Sequence, residues 1–489
     1  MTTLRNPRKP SVLEAFSCLA VLLIAILGGV IGYGMSIGIA MIISAAYTLL
    51  IGLRCGYSWK DIEDGINDKI KDIIDVLIIV LGIGFVIATW MFSGTIPVTI
   101  YYLLKVVDPS YIVAFAFVAC SLTAIAIGTS WGTAGTVGVV MIGMGQVLDV
   151  HLPLMAGAVV SGSMFGQIFS PMSDMCNLAS SVNRVSVYST LKGTAIVVFP
   201  TAAIATVAYI FLGMSYSTGT ATADTAQMFS TQIESLFNTN PVVILPLLLL
   251  LGCSLKRLPV VPSMFAAGFL AILFGYFFNG FNLIDGFNAG YNGFKLDMIP
   301  GADIAAIAPQ VKSLVNRGGL DSMGWMFVLM FAAMTFIGAF TAVGCLDVIV
   351  ETLFGGVKKK GSLVLASVLA TLTTAITTTE SYIAVIVPTE LFRDKYKQFN
   401  LPRVSLSVST LSASAIFIPL IPWGSTGIYM AGVTGTSVLS YIPFAFLCWG
   451  CAIVTVVFGY LNIGPKTDDE FDAAAESLGQ EALSNEPAE

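Results

Sequence analysis

Long apolar runs recur along this whole chain, and few charges interrupt them. Hydrophobic residues make up 56% of the 489 and charged residues 11%, where a soluble domain carries about 25% charged. That is too few to coat the two or three soluble domains such a length would suggest. Apolar runs of about 20 residues cross a bilayer as helices, because a helix satisfies its own backbone where water is absent. The sequence therefore specifies an all-α polytopic membrane protein. A formal net charge of −6 argues against a nucleic-acid partner. One histidine, His151, argues against histidine-rich metal sites. The eight cysteines lie in or beside apolar runs, where a thiol behaves as a small hydrophobe, so no cofactor is expected. An intramembrane enzyme needs clustered acids, histidines or a nucleophile–base pair; the chain offers few such groups and reads as a non-enzyme.

Lys and Arg mark cytoplasmic loops. Arg5, Arg8 and Lys9 place a cytoplasmic N-terminus at residues 1–10. Two spans follow (Val12–Tyr33 and Met35–Leu53), then an interfacial stretch, together covering residues 11–72. A first repeat covers 73–214. It holds a span interrupted at Ser93–Pro97, an outer hairpin at 111–148 and a broken helix at 153–185. Residues 215–322 supply linking helices and outer loops, with Ser215–Asn240 and Asn279–Asp321 outside. A second repeat covers 323–463, with one span over Met323–Val350, an inner hairpin at 361–391 and a broken helix at 404–435. Residues 464–489 are acidic and read as a disordered cytoplasmic tail. The total is about ten transmembrane helices plus two re-entrant hairpins, in a cell (inner) membrane with both termini cytoplasmic.

Segment 361–391 carries the hairpin argument. It is mostly apolar, and basic residues stand at both ends (Lys358–Lys360; Arg393, Lys395, Lys397). About 31 residues are too few for two crossings at about 20 each. The polar middle, Thr377-Thr378-Thr379-Glu380-Ser381, suits a tip that lines a wet cavity. Segment 111–148 has a similar middle, Gly128-Thr129-Ser130-Trp131-Gly132-Thr133, with flanks poor in basic residues. Each hairpin precedes a proline-broken helix, at Ser170-Pro171-Met172-Ser173-Asp174 and at Pro419-Leu420-Ile421-Pro422-Trp423. Thr129 and Pro171 are 42 residues apart, as are Thr377 and Pro419, and the two pairs are offset by 248. Units that enter from opposite faces are inverted repeats with helices broken at mid-membrane, a secondary-transporter architecture.

Asp174 is the strongest candidate for chemistry. A carboxylate at membrane depth costs about 2.5–3.5 kcal/mol on insertion scales, so it is expected to hold a cation, a proton or a partner; the alternative is a helix-capping aspartate. Ser170, Ser173 and Asn177 surround it, and the break frees carbonyl oxygens of the kind Na+ uses. Glu380 is the second acid, among Thr377, Thr378, Thr379 and Ser381; it is either a site residue or solvated at a tip near the cytosol. Thr129, Ser130 and Thr133 form the outer tip among interleaved glycines, which serve equally for close packing. Ser425 and Thr426 close the second break, beside a Trp423 that packs or floors a pocket. Na+ is expected near Asp174, Ser173, Asn177 and Thr129, and a second ion or the solute at Thr377–Ser381 with Ser425 and Thr426. Half-helix N-termini can also hold a carboxylate.

These residues resemble the NhaC-type Na+/H+ antiporter family of the ion-transporter superfamily, which includes malate/lactate-type antiporters. The resemblance rests on Gly128-Thr129-Ser130-x-x-Thr133-x-Gly135-Thr136-Val137-Gly138, on Phe165-Gly166-x-x-x-Ser170-Pro171-x-Ser173-Asp174-x-x-Asn177-Leu178-Ala179, on Pro419–Trp423 and on Trp90–Pro97. It extends over about residues 35–460. It implies a secondary active transporter that exchanges Na+ for H+ by alternating access, with a small carboxylate moving in some members. It also implies a homodimer embedded in membrane lipid. The chain departs from the family at three places. Gly166-Gln167-Ile168 stands for Gly-Asp-Lys, Thr410-Leu411-Ser412 for Leu-Glu-Asp, and Val408 for an arginine. Fewer titratable groups favour the alternative, a Na+-coupled carboxylate or amino-acid transporter without Na+/H+ exchange.

Overall fold

A computed structural model describes residues 7–216, 221–354 and 360–465; the expected acidic tail beyond 465 and the Lys358–Lys359 pair lie outside the described residues. α1 (Val12–Ile24) opens on a capping box between Ser11 and Glu14 and runs on as a π-helix to Gly32. α2 (Ile37–Cys55) ends at Gly56, whose φ of 94° favours glycine. α3 (Trp59–Asp72) abuts α4 (Ile74–Phe92), and Ser93-Gly94 separates α4 from α5 (Thr95–Leu104). α6 (Ile112–Ile127) stops at Gly128. α7 (Ser130–Thr133) then continues through a π-helical turn into α8 (Val139–Val147). α9 (Leu152–Ile168) and α10 (Asp174–Asn183) flank the first proline break.

α11 (Val187–Tyr216), α12 (Ala221–Leu236), α13 (Leu245–Leu255) and α14 (Val260–Asn279) lead to the short α15 (Leu283–Asn292) and α16 (Pro309–Val315). The second half holds α17 (Gly324–Ala342), α18 (Cys345–Phe354), α19 (Lys360–Thr378), α20 (Ser381–Gln398), α21 (Arg403–Ala413), α22 (Ser425–Thr434), α23 (Val438–Tyr441) and α24 (Phe446–Leu461). Among the described residues, 9 helices are long and apolar enough to cross a membrane, or up to 11 if each of two bent pairs is one span. The chain is an all-helical, multi-pass membrane protein.

The two halves repeat in their helix bounds. α4 and α17 both have 19 residues and α5 and α18 both have 10, with starts 250 residues apart. Each short helix follows a left-handed glycine, Gly94 (φ 78°) or Gly344 (φ 79°). α10 and α22 both have 10 residues and start 251 apart. Packing is reciprocal: α2 and α3 lie on α17, while α14 and α15 lie on α4. Small residues permit the approach, since a Cβ on Gly338 would come within 2.5 Å of the Ile66 backbone.

Several expectations are corrected. The repeat register is 250–251, not 248. Aligning Thr129 with Thr377 matched side-chain chemistry, whereas the backbone turns are set by the left-handed residues Gly128 (φ 81°) and Thr379 (φ 55°). Asp174 therefore corresponds to Ser425. The single span over Met323–Val350 is two helices, broken at Gly344. Segment Ser215–Asn240, expected as an outer loop, contains α12, because Phe229, Ile233 and Leu236 form one buried stripe. Segment Asn279–Asp321, expected as an outer loop, folds with α15 and α16 and buries Phe294, Val311, Leu314 and Val315.

The inner unit extends from 360 to 398, past its charged end, because Phe392 and Tyr396 stay buried there. That is longer than the 31 residues on which the hairpin reading rested. Gly361–Thr378 and Pro109–Ile127 each reach crossing length alone.

Candidate functional site

Four helix breaks meet around one cavity of about 620 Å³. Gly128, Thr129 and Trp131 come from the α6–α7 tip, and Thr379, Glu380, Ser381 and Tyr382 from the α19–α20 tip. Gln167, Met172, Asp174 and Met175 come from the first broken helix, and Ser425 and Thr426 from the second. The rim is formed by Asp72 and Asp75 at the α3–α4 junction and by Ser254 and Arg257 at the α13–α14 turn. Four acids face one arginine, so the mouth attracts cations. Among the described residues no cluster of three or more His, Cys, Asp or Glu could hold a metal ion. A cation here would depend on carbonyl and hydroxyl oxygens beside a single carboxylate.

The N-terminal ends of four half-helices meet at the cavity. α7, α10, α20 and α22 all begin at the cavity, with Thr129, Asp174, Ser381 and Ser425 as lining residues. Each N-terminus carries partial positive charge, about half an elementary charge. The carboxylates of Asp174, in the first turn of α10, and Glu380, the N-cap residue of α20, sit in that field. It stabilises each by about 0.3–1 kcal/mol and leaves room for an anionic cargo group.

Asp174 is exposed to the cavity and anchors a network that joins both repeats. The Tyr382 hydroxyl donates to its Oδ2 at 2.5 Å and the Gln167 amide donates to its Oδ1 at 3.3 Å. Gln167 Oε1 accepts from the Ser130 N–H at 3.2 Å. Gln167 thus needs a donor and an acceptor, which an aspartate at that position would not supply. The Glu380 carboxylate, half-buried across the cavity, has no hydrogen-bond or ion-pair partner among the described residues.

The candidate hydroxyls divide into two groups. Thr129, Thr379, Ser381, Ser425 and Thr426 line the cavity. The others are engaged nearby. Thr133 donates to the Thr129 carbonyl, Ser170 to that of Ile125, Ser173 to that of Gln167, Thr377 to that of Thr373 and Thr378 to that of Thr374. Asn177 ties the Ser173 and Pro171 carbonyls together. Thr379 differs. It is a buried β-branched residue with φ of 55°, and its hydroxyl has no partner. A left-handed β-branched residue is strained by about 1–2 kcal/mol, and such strain persists where the surroundings over-determine it. Trp423 packs, donating its indole N–H to the Ile376 carbonyl at 3.3 Å.

Tyr382, Trp131, Asp72 and Asp75 were not singled out from the sequence. Asp72 ends the interfacial stretch and Asp75 opens α4, about 100 residues before Asp174, and no local pattern signals that proximity. Trp131 stacks on Tyr429 with centroids 4.2 Å apart, and the Tyr429 hydroxyl donates to the Trp131 carbonyl at 2.5 Å. Trp131 lines the cavity, so the stack forms part of its wall.

Multi-pass helices with four breaks around a polar cavity define a membrane transporter. The model of the Na+/H+ antiporter family matches residues 10–175 and 162–463, and the chain belongs to that family. A Bacillus subtilis Na+/H+ antiporter, NhaC, is 31% identical over 425 residues, 87% of this chain and 92% of that protein. The malate-2H+/Na+-lactate antiporter of B. subtilis is 28% identical over 457 residues, 94% and 96% of the two chains. An arginine/ornithine antiporter of Halobacterium salinarum is 29% identical over 477 residues, 96% of each chain.

Proposed function

We propose that the chain is a secondary active antiporter that binds Na+ beside Asp174, with Glu380 across the cavity, and moves a small organic acid, with protons as the counter-ion. One observation carries this reading: an acid from each repeat faces one cavity where two tips and two broken helices meet. Na+ would take Asp174, the Thr379 hydroxyl and freed carbonyls, and the organic carboxylate would take the half-helix N-termini. Alternating access moves one bundle against the other, breaking the Tyr382–Asp174 bond between repeats. With the N-terminus cytoplasmic in the cell membrane, as the basic residues indicate, the cavity opens inward. The similarity to malate/lactate and arginine/ornithine antiporters supports a carboxylate-bearing cargo. It equally supports a second reading, Na+-coupled transport of carboxylates or amino acids without Na+/H+ exchange.

Proteoliposomes loaded with malate, lactate, arginine or no solute separate the two readings. The first predicts that a Na+ gradient drives solute flux with movement of protons, read by an internal pH dye. Solute flux that a Na+ gradient drives without moving protons supports the second.

A further inference from the structure

A second cavity, of about 610 Å³, lies at the other end of α22. The two cavities share no lining residue. Ser425 and Thr426 at the start of α22 face the first, and Ala431 and Gly432 near its end face the second. Ala431 lies five positions after Thr426, about 7.5 Å along the helix. The barrier is the Tyr429–Trp131 stack, together with Met326 pressed on Gly432, where a Cβ would meet its methyl group at 1.6 Å.

Arg317 is the charged group of this cavity, and no Asp or Glu lines it. Among the described residues its guanidinium has one side-chain hydrogen bond, to Gln146 Oε1 at 2.9 Å, and no carboxylate within ion-pair distance. The other lining groups that can hydrogen-bond through side chains include Asn316, Ser322, Thr436 and Ser437. A half-buried guanidinium without a counter-ion is costly, and its planar fork of donors matches a carboxylate bidentately. The volume falls in the usual range for small-molecule sites.

We propose that the Arg317 cavity is an outer docking site for the organic carboxylate, from which cargo passes along α22 to the Asp174 cavity. This rests on the reading that a carboxylate is cargo. In the reading's own terms Arg317 attracts the anion, while the acids of the first cavity hold the cation, so the two charges are handled at opposite ends of one half-helix.

The test uses full-length protein in proteoliposomes of defined orientation, with malate and lactate as probes and KM measured separately from the two faces. Arg317→Gln is expected to raise the outer-face KM by about 10- to 100-fold, the range for losing a charge-assisted hydrogen bond. The inner-face KM and the maximum rate stay at wild-type values, which also shows that the variant folds. Arg317→Lys keeps the charge and restores most of the outer-face affinity. An unchanged outer-face KM in Arg317→Gln, or an equal rise at both faces, overturns the proposal while leaving carboxylate transport standing. Absence of carboxylate flux in the wild-type protein from either face overturns the underlying reading, and the docking site with it.

Discussion

Gln167→Glu places a test charge directly beside the central acid. The substitution keeps shape and keeps the acceptor for the Ser130 N–H, but it replaces the amide that donates to Asp174 at 3.3 Å. Two carboxylates at that separation repel by about 5 kcal/mol at an effective dielectric of 20 and about 1 kcal/mol in bulk water. The cavity is open and Asp174 is exposed, so the lower figure applies. A Na+ ion bound beside Asp174 removes that repulsion, so the variant gains at least about 1 kcal/mol of Na+ binding, about fivefold in Kd. Without Na+ the variant is less stable than wild type by a similar amount. The assay is the melting temperature of purified protein at pH 8 across a Na+ titration with K+ as the control, since a ligand that binds only the folded state raises Tm. The expected result is a lower Tm in K+ and a half-maximal Na+ concentration about fivefold below wild type. An identical or weaker Na+ response would refute the placement of the ion beside Asp174.

Three further outcomes follow from the geometry. Thr379→Val keeps the strained backbone and removes a buried hydroxyl without a partner. Its stability in K+ should hold or rise by up to about 1 kcal/mol, while its Na+-dependent Tm shift falls, if that oxygen is an ion ligand. Gly166→Ala drives a Cβ to within 2.1 Å of the Ala124 backbone between α6 and α9; it should cost about 3 kcal/mol or abolish folding, checked by chemical unfolding in detergent. Tyr429→Phe removes the hydrogen bond to the Trp131 carbonyl and should cost about 1–2 kcal/mol. It also loosens the barrier between the cavities, read as faster labelling of a cysteine introduced at Thr426 from the outer face.

The legible part of this fold lies where polar, glycine or proline residues interrupt apolar runs. Gly128-Thr129, Pro171, Thr379-Glu380 and Pro419–Pro422 break helices in the structure as those residue types imply, because an apolar helix gains nothing from them. α12 stayed hidden because its Thr, Gln and Ser residues dilute a stripe that only tertiary packing reveals. The break at Gly344 was missed because one glycine in an apolar run looks like a packing residue until its φ is known. Ser130, Thr133, Ser170, Ser173, Thr377 and Thr378 show the same limit at the site. Sequence places them near it but does not say that five of these hydroxyls are spent on neighbouring carbonyls, nor that the Ser130 amide binds Gln167. Asp72, Asp75 and Tyr382 reach the cavity through the fold alone.

Sodium-driven flux through Asp174→Asn in proteoliposomes tests the central claim most directly. The asparagine keeps the volume and its amide oxygen can still accept from Tyr382, while the charge and the second acceptor, which takes the Gln167 amide and the Met175 N–H, are lost. Sodium dependence should collapse by at least about tenfold, the consequence of removing a charged ligand worth about 1.5–3 kcal/mol, with the protein still folded by its melting profile. Retention of wild-type sodium-dependent transport in that variant would contradict an ion site built around Asp174.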